Sequence, residues 1–530
     1  MNLRKTLRHG LVWLLALTLS QLVLAANGPQ YASHGMVVSQ NALASEAGAQ
    51  VLREGGNAID AAVATAFALA VTHPTAGNIG GGGFLIHRPA KGDAQTYDFR
   101  EKAPAAAHPE MWLDEAGNYD YEKHHSSHLA VGVPGTVAGL HLAWQDGGTL
   151  PWARMVAPAI ALARDGFTVT HGLARSLSTT GMRRFEPYPA SVAQFTKNGT
   201  PYEAGDRLVQ RELAATLERI AEAGPKGFYE GETADLLVKE MAANGGIITH
   251  DDLKAYEAVR RAPILGTYRG YDIIGMPPPS SGGVTMVQML NVLEGYDLSA
   301  SGFGSARTLH LMTESMRRGY ANRARYLGDP DFNPDMPLAE LLSKDYATLL
   351  RESIDENTAS LSDPGSFTWG YESPETTHFS VVDGARNAVS VTYTLEYSYG
   401  SGIVVPGAGF LLNNEMGDFN GKPGLTDTRG LIGTLPNVAE PGKRMLSSMS
   451  PTIVAKDGAL FMVTGSPGGR TIINTTLQTI LNVVDHGMNA QAAVDAGRIH
   501  HQWLPDRISY EAQLFSPDTV KLLAGMGHET

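Results

Sequence analysis

Residues 375–395 carry the sequence ETTHFSVVDGARNAVSVTYTL, which decides the fold. Apolar and polar side chains alternate through residues 378–382 and again through residues 388–395, while residues 383–387 have the composition of a turn. Alternation with a period of two is typical of strands that bury one face. The segment therefore predicts an antiparallel hairpin whose first strand follows a pair of threonines.

The flanking sequence extends this hairpin into an α+β fold. Downstream, residues 452–455 and 459–463 predict a second hairpin, and short strands are predicted at residues 403–405 and 410–412. Elsewhere apolar residues recur with helical spacing. The helices predicted in this way cover residues 42–54, 58–71, 156–163, 213–223, 284–293, 306–324 and 471–484. Helices that precede antiparallel strands indicate a sheet core covered by helices.

Thr376 stands between an irregular stretch and the first strand. Residues 363–375 are polar and contain two prolines and two glycines, which is typical of an exposed linker. A threonine hydroxyl is a weak nucleophile that needs a nearby base. Cleavage of the Glu375–Thr376 bond would make the Thr376 amine that base, since its pKa of about 7.7 to 8.0 suits proton transfer near neutrality. Threonine also commonly begins ordinary strands, so the pattern alone leaves both interpretations open.

Gly468 and Gly469 lie between the second hairpin and the helix predicted over residues 471–484. Backbone N–H groups at the start of a helix are suited to stabilise negative charge, because the helix dipole adds to their hydrogen bonds. An acyl-transfer site needs such donors for its oxyanion. A simple strand-to-helix turn is the alternative interpretation of the same pattern.

The overall composition is that of an acidic globular protein. Of the 530 residues, 43% are hydrophobic and 18% are charged, and the net charge is −13. An acidic surface repels phosphate backbones and anionic lipids, so binding to nucleic acid is not expected. The absence of cysteine removes thiol nucleophiles, thiolate metal ligands and disulfides.

The N-terminus has the order of a secretory signal. Three basic residues in the first nine precede an apolar run at residues 11–24, and small residues follow at Val23–Ala25. The run of about 14 residues is shorter than the roughly 20 that a membrane-spanning helix needs. We therefore expect residues 1–25 to be a cleaved signal peptide, the mature protein to be periplasmic or secreted, and no stable membrane span to remain.

Seven motifs in the same order resemble those of γ-glutamyltransferases. The resemblance runs from about Val37 to the end of the chain. It rests on residues 80–84, 98–101, 375–383, 392–394, 413–419, 446–452 and 465–469. It implies an N-terminal-nucleophile hydrolase fold, a four-layer αββα sandwich in which two mostly antiparallel sheets lie between helices. It also implies that a precursor cleaves itself into a large chain, residues 26–375, and a small chain, residues 376–530, which stay together.

The resemblance further implies a reaction and its substrates. A γ-glutamyl ester forms on the enzyme, glutathione and related γ-glutamyl compounds are the donors, and water, amino acids or short peptides are the acceptors. No metal or organic cofactor is required. Three histidines, His124, His125 and His128, suggest a metal site, but evident carboxylate or thiolate partners are lacking and a polar loop is the favoured interpretation.

The residue roles combine this resemblance with the chemistry of each side chain. Thr376 is the expected nucleophile, Thr394 is expected to hold and polarise it, and the N–H groups of Gly468 and Gly469 are expected to bind the oxyanion. Arg100, whose planar guanidinium suits a carboxylate, is expected to bind the donor α-carboxylate. The other predicted contacts with the donor head group come from Glu396, Glu415, Asp418, Ser447 and Ser448.

Three features depart from the family pattern. Glu396 stands where many relatives carry asparagine, and Arg429 stands in a lid-like stretch, residues 424–445, where an aromatic residue often closes the pocket. The chain also ends at Thr530, earlier than the resemblance leads us to expect.

Two other functions fit part of the pattern. A cephalosporin or glutaryl acylase would share the fold and the self-cleavage but would not need to recognise an α-ammonium group. A periplasmic amino-acid or peptide binding protein would share the signal peptide and the charged pocket but would have no reason to cleave itself.

Because Arg429 and Glu396 both depart from the family pattern, one hypothesis is that Arg429 closes the lid by pairing with Glu396 across the pocket. The alternative is an exposed Arg429 that pairs with nothing. An ion pair near the surface is weakened by salt. Steady-state kinetics should therefore be salt-sensitive in the wild type and lose that sensitivity in Arg429→Ala. Unchanged kinetics in the variant would contradict the pairing.

Overall fold

The computed structural model describes residues 28–363, 376–424, 433–512 and 516–530. The predicted signal peptide, Glu375 and Arg429 lie outside the described residues.

Two helices near the start of the described chain begin at asparagine caps. Helix α1 (Ala42–Arg53) is capped by Asn41, and helix α2 (Ala58–Thr72) is capped by Asn57. Asn57 and Asp60 form a reciprocal capping box, as their spacing predicts. Every residue of α2 is buried, which explains why its sequence is apolar on nearly all sides.

The strands form two main sheets in which every neighbouring pair is antiparallel. They are β1 (Met36–Val38), β2 (Gly82–Arg88), β3 (Gln95–Phe99), β4 (Val259–Arg261), β5 (Ile264–Tyr268), β6 (Tyr271–Gly275), β7 (Thr377–Val382), β8 (Ala388–Thr394), β9 (Thr452–Lys456) and β10 (Ala459–Thr464). The large sheet has the order β1-β7-β8-β2-β3-β4, and the small sheet has the order β10-β9-β6-β5. Two-residue strands pair Phe167–Thr168 with Arg207–Leu208, Thr196–Lys197 with Thr200–Pro201, and Ile499–His500 with Ser509–Tyr510.

The remaining helices cover the outer faces of the sheets and the connections between them. They are α3 (Tyr121–His125), α4 (Thr136–Gly147), α5 (Trp152–Asp165), α6 (His171–Ser176), α7 (Met182–Phe185), α8 (Pro189–Phe195), α9 (Arg211–Ala223), α10 (Lys226–Tyr229), α11 (Gly231–Ala243), α12 (His250–Lys254), α13 (Gly282–Leu293), α14 (Leu298–Ser301), α15 (Ala306–Tyr326), α16 (Leu338–Leu341), α17 (Lys344–Glu352), α18 (Thr471–Val484), α19 (Ala490–Asp495) and α20 (Pro517–Gly525). Short 3₁₀ helices occupy His128–Ala130, Glu415–Asp418 and Leu435–Asn437, and one turn of π-helix occupies Leu177–Gly181.

Three apolar clusters establish the layer order. Leu85 of β2 belongs to a core shared with α1, α2, α4, α5 and α9. Its neighbours Phe84 and Ile86 point to the opposite face, where they belong to a cluster with Ile274 of β6 and Ile453 of β9. The other face of the small sheet packs on α13, α15 and α18. The predicted order of helices, sheet, sheet and helices is confirmed.

The β7–β8 hairpin is tied to the helical layer through its turn. Asp383 accepts hydrogen bonds from the backbone N–H groups of Ala385 and Asn387, at 3.0 and 2.9 Å, through one oxygen. Its other oxygen accepts from the N–H of Ala58, the first residue of α2, at 3.1 Å. This contact fixes the hairpin, and with it the start of β7, against the buried helix.

One part of the predicted secondary structure is wrong. Residues 403–405 and 410–412 do not form strands, because within them only the single bridge between Val404 and Leu411 is made. The segment instead consists of turns, with Gly407 and Gly409 in the left-handed region at φ 81° and 73°. Buried apolar side chains produced the strand-like pattern without a continuous ladder.

Candidate active site

Thr376 immediately precedes β7 and lines a small polar cavity. The hairpin register, in which Thr377 faces Tyr393, brings Thr376 beside Thr394. Most of the predicted site residues meet here. The cavity is lined by Arg100, Thr376, Thr394, Glu396, Glu415, Asp418, Ser447, Ser448, Met449, Gly469 and Ile472.

Thr394 is held at the end of β8 by its neighbours. Its carbonyl oxygen accepts a hydrogen bond from Asn78 Nδ2 at 2.8 Å, and its Oγ1 accepts from the backbone N–H of Glu396 at 2.9 Å. Glu396 has a φ of 77°, a conformation that is uncommon for residues other than glycine. The chain therefore turns sharply after Thr394, and the Glu396 side chain lines the cavity.

Gly468 and Gly469 form a tight turn before α18. Their φ angles are 130° and 53°, both in the region that favours glycine. A Cβ atom on Gly468 would lie 2.4 Å from Thr471 Oγ1. The carbonyl oxygens of Gly468 and Gly469 accept from the N–H groups of Thr471 and Ile472, at 3.0 and 3.1 Å. The backbone thus presents this turn at the N-terminal end of a 14-residue helix, where negative charge is stabilised.

Arg100 is completely buried and carries the largest concentration of charge in the site. It forms ion pairs with Glu415 through Nη1 and with Asp418 through Nη2, and Glu101 Oε2 lies 3.5 Å from Nη1. Its Nε donates to the carbonyl oxygen of Met445 at 3.3 Å. In this structure the cation and the two anions are therefore in direct contact with one another.

Glu101 is a residue of this cluster to which the sequence assigned no role. Burial raises the pKa of the Glu101 carboxyl to about 8, although the charge of Arg100 opposes this rise. Among the described residues its Oε1 has no hydrogen-bond partner. Three carboxyl groups surround one guanidinium, and burial favours the neutral form of Glu101.

Ser447 and Ser448 are positioned by buried partners. Ser447 Oγ accepts from the N–H of Met449 at 3.1 Å. Ser448 Oγ accepts from Arg323 Nη2 at 2.9 Å, and Arg323 Nε donates to Ser281 Oγ at 2.7 Å. Sequence reasoning missed Arg323. The available signal was its position seven residues after Met316 and three after Tyr320, on the buried face of α15.

The three histidines of residues 124–128 do not form a metal site, and the polar loop expected there is wrong. His124 and His125 are buried in α3, and His128 begins a short 3₁₀ turn. The rings of His124 and His125 share the Tyr119 hydroxyl as a partner, whereas His128 faces Glu240, so the three rings do not converge on one point. His124 Nε2 contacts the Met416 carbonyl, His125 Nδ1 faces Glu396, and His128 Nε2 contacts Glu240.

Among the described residues, His310, Glu314 and His528 do bring three ligand atoms within 4.8 Å of one another. Glu314, however, already pairs with Arg317 and Arg318. A cation there would have to compete with two guanidinium groups, so these residues are better described as an ion-pair network.

The fold and the cavity define a class of protein. Two sheets between helical layers, with a threonine at the head of a central strand and a charged pocket before it, are the features of an N-terminal-nucleophile hydrolase. Known proteins with similar sequences and structures identify the family within this class.

The family model "Gamma-glutamyltranspeptidase" matches residues 44–530. The chain is 52% identical over 504 residues to the glutathione hydrolase proenzyme of Escherichia coli (strain K12), covering 94% of this chain and 86% of that protein. The chain therefore belongs to the gamma-glutamyltranspeptidase family and is an enzyme of that type, which removes the binding-protein alternative.

Two solved structures share the fold. Cephalosporin acylase from Bacillus halodurans superposes with a TM-score of 0.84 at 29% identity, covering 96% of this chain and 90% of that chain. Helicobacter pylori gamma-glutamyltranspeptidase superposes with a TM-score of 0.62 at 46% identity, covering 63% of this chain and 95% of that chain.

Replacing Glu101 with glutamine should stabilise the protein progressively as the pH rises. The unfolded carboxyl ionises near its usual pKa of 4.5, whereas the folded one holds its proton to about 8. Between these values wild-type stability falls with rising pH, and Glu101→Gln removes this loss, by up to about 4 kcal/mol between about pH 5 and pH 8. Thermal unfolding midpoints at a fixed scan rate measure the difference from wild type at each pH.

The exposed Glu122 provides the control for this prediction. Glu122→Gln should show no comparable trend, since its carboxyl is solvated in both states. A difference between Glu101→Gln and wild type that stays constant across the pH range would show that Glu101 ionises normally.

Proposed function

We propose that the chain cleaves itself between Glu375 and Thr376 and then transfers γ-glutamyl groups through an ester on the Thr376 hydroxyl. The observation that carries this proposal is the position of Thr376, at the head of β7 and beside a cavity that also contains Arg100, Glu415 and Asp418. Glutathione and related γ-glutamyl compounds are the proposed donors. The Escherichia coli relative is a glutathione hydrolase proenzyme, which supports both the donor and the cleavage.

The proposed acyl transfer needs no group from outside the chain. The new Thr376 amine accepts the hydroxyl proton while Thr376 Oγ1 attacks the γ-carbonyl carbon of the donor. The N–H groups of Gly468 and Gly469 stabilise the resulting oxyanion, and Thr394 orients the nucleophile. The amine then returns its proton to the leaving nitrogen as the C–N bond breaks. Water, an amino acid or a peptide amine attacks the ester and regenerates Thr376.

The donor head group is a zwitterion, which the pocket suits in charge. Arg100 offers a guanidinium to the α-carboxylate, and the hydroxyl groups of Ser447 and Ser448 lie beside it. Both serine oxygens accept hydrogen bonds from the protein, which orients their hydroxyls as donors. Glu415 and Asp418 offer negative charge to the α-ammonium group.

A glutaryl or cephalosporin acylase is the competing assignment, because an acylase shares this fold. Such substrates have no α-ammonium group. Burying Arg100 with both Glu415 and Asp418 in the pocket is costly unless these charges are used or mutually compensated. Arg100 pairs with both carboxylates but its single charge balances only one of them, so the second negative charge favours a donor with an α-ammonium group.

The proposed organisation follows the cleavage. Residues 1–25 would direct the chain to the periplasm or the exterior, residues 26–375 would form the large subunit, and residues 376–530 the small subunit. In the described ranges we find no helix with both the length and the apolar character to cross a membrane. Strand β1 from the large subunit pairs with β7 of the small one, so the two chains share a sheet and would stay together.

Purified wild-type protein should run as two bands on a denaturing gel, and Thr376→Ala as one. The substitution removes the hydroxyl that cleaves the bond, while the buried methyl group fits the same space. N-terminal sequencing of the smaller band should start at Thr376. Thr377→Val is the matched control and should still give two bands, because Thr377 is buried and its Oγ1 has no hydrogen-bond partner within the part of the chain that the structure describes. A single band from mature wild type would refute self-cleavage.

Asp418→Asn should weaken the preference for γ-glutamyl anilide over glutaryl anilide. A hydrogen bond to a charged group contributes about 1.5–3 kcal/mol, so kcat/KM for the γ-glutamyl substrate should fall roughly 10- to 100-fold while that for the glutaryl substrate changes little. The exposed turn residue Asp457 supplies the control, Asp457→Asn, which should alter neither rate. Equal losses with both substrates would show that Asp418 does not recognise the α-ammonium group.

A further inference from the structure

A chain of polar contacts runs from the backbone to the donor pocket behind Glu396. His124 Nε2 lies 2.8 Å from the carbonyl oxygen of Met416. His124 Nδ1 lies 2.9 Å from the Tyr119 hydroxyl, which in turn lies 3.1 Å from His125 Nε2. The other nitrogen of that ring, His125 Nδ1, lies 3.3 Å from Glu396 Oε1. All of these rings are buried or half-buried.

The first contact fixes the direction of every hydrogen bond along this chain. A carbonyl oxygen only accepts, so His124 donates through Nε2–H, and its neutral ring must accept through Nδ1. The Tyr119 hydroxyl therefore donates to His124, and its oxygen accepts from His125 Nε2–H. A neutral His125 then presents the lone pair of Nδ1, not a hydrogen, to Glu396.

Burial keeps both histidine rings neutral. It lowers the pKa of His124 to about 3. It also lowers the pKa of His125 well below its usual value, and the nearby His124, Arg184 and Arg470 lower it further. A lone pair facing an ionised carboxylate at 3.3 Å would be repulsive on both sides. One proton between the two atoms removes the repulsion and makes a hydrogen bond.

The packing around His125 holds it in this orientation. Its ring lies between Tyr121, with ring centroids 4.4 Å apart, and Tyr397, at 5.5 Å and nearly parallel. The backbone of Gly417 closes a third side. A Cβ atom there would lie 2.3 Å from His125 Nδ1 and 2.8 Å from Glu396 Oε2. These neighbours keep the His125 ring packed beside Glu396.

We infer that Glu396 carries the proton and donates it to His125 Nδ1, so that it faces the donor pocket as a neutral carboxylic acid. His125 is then a positioning residue, and Tyr119 and His124 set its tautomer. The protonation state of Glu396 is argued from the contacts around it, whereas its effect on donor binding rests on the proposed γ-glutamyl transfer. Charged groups around the pair are Arg184 and Arg470 on the protein side and Glu415 and Asp418 across the pocket.

This assignment gives Glu396 a different role from the other pocket carboxylates. With its proton on the oxygen that faces His125, Glu396 offers the donor a neutral hydrogen-bond acceptor, and the negative charge that faces the α-ammonium group comes from Glu415 and Asp418. A neutral acid is also a poor partner for Arg429, so the assignment and the lid ion pair predicted from the sequence exclude each other.

Infrared spectroscopy of the resting protein near neutral pH tests the protonation state directly. Glu101 contributes a second protonated carboxyl, so the diagnostic signal is the part of the carboxylic-acid C=O band that disappears in Glu396→Gln. We expect this component in wild type. We also expect it to disappear in Tyr119→Phe, because His125 can then carry its proton on Nδ1 and pair with an ionised Glu396. Absence of the component in wild type, or its persistence in Tyr119→Phe, would overturn the inference.

His128→Asn is the matched control, since His128 lies in the same segment but faces Glu240, and it should leave the band unchanged. A change in the band there would overturn the assignment to the Glu396 pair.

Kinetics test the consequence separately. The glutamine amide can donate to His125 Nδ1 and accept from the donor, as the neutral acid does. Glu396→Gln should therefore lower kcat/KM for the γ-glutamyl donor by less than about fivefold, the effect of one neutral hydrogen bond. A loss of kcat/KM as large as that expected for Asp418→Asn would show an ionised Glu396. Wild type that lacks activity on γ-glutamyl anilide would refute the proposed function while the infrared result still decides the protonation state.

Discussion

The burial of Arg100 is the constraint on which the rest of the site depends. A guanidinium with no exposed surface is tolerable only if anionic partners are held within hydrogen-bond reach. Those partners, Glu415 and Asp418, lie more than 300 residues away in sequence, on a 3₁₀ turn that must be fixed relative to the end of β3. Buried side chains in the neighbouring loops hold this turn in place.

Two buried asparagines carry out most of this fixing. Asn413 donates to the carbonyl oxygens of Gly80 and Gly132, both at 2.8 Å, and accepts from the N–H of Glu415 at 3.1 Å. Asn437 donates to the carbonyl oxygen of Asp418 at 2.7 Å. An amide side chain can donate and accept hydrogen bonds at once, so one residue satisfies several buried backbone groups. These hydrogen bonds fix the position of the turn. The charged residues are thereby placed before any substrate arrives.

The sequence predicts those parts of the molecule whose cause is local. Alternation gave the β7–β8 hairpin to within a residue at each end, and helix α18 has the predicted bounds. The hairpin of β5 and β6 was missed, although the two residues of its turn, Arg269 and Gly270, both adopt positive φ and the glycine was a visible signal. Helix α5 begins at Trp152, earlier than the periodicity suggested, because its first turn is less regular in apolar residues.

Sequence motifs identified the pocket residues, but only the structure shows how these residues are arranged. No local pattern reports that Arg100 contacts Glu415 and Asp418, or that Arg323 on α15 reaches Ser448, because these contacts join segments that are distant in sequence. Burial then changes what the motifs mean. If every side chain carried its usual charge, the pocket and the residues beneath it would hold one positive charge, on Arg100, and four negative charges. The four carboxylates are those of Glu101, Glu396, Glu415 and Asp418. Desolvation favours the protonated form of Glu101. The hydrogen bonds from His124 through Tyr119 to His125 lead us to infer a proton on Glu396. Two carboxylates then remain beside one guanidinium, and a single net negative charge is what a bound α-ammonium group would neutralise.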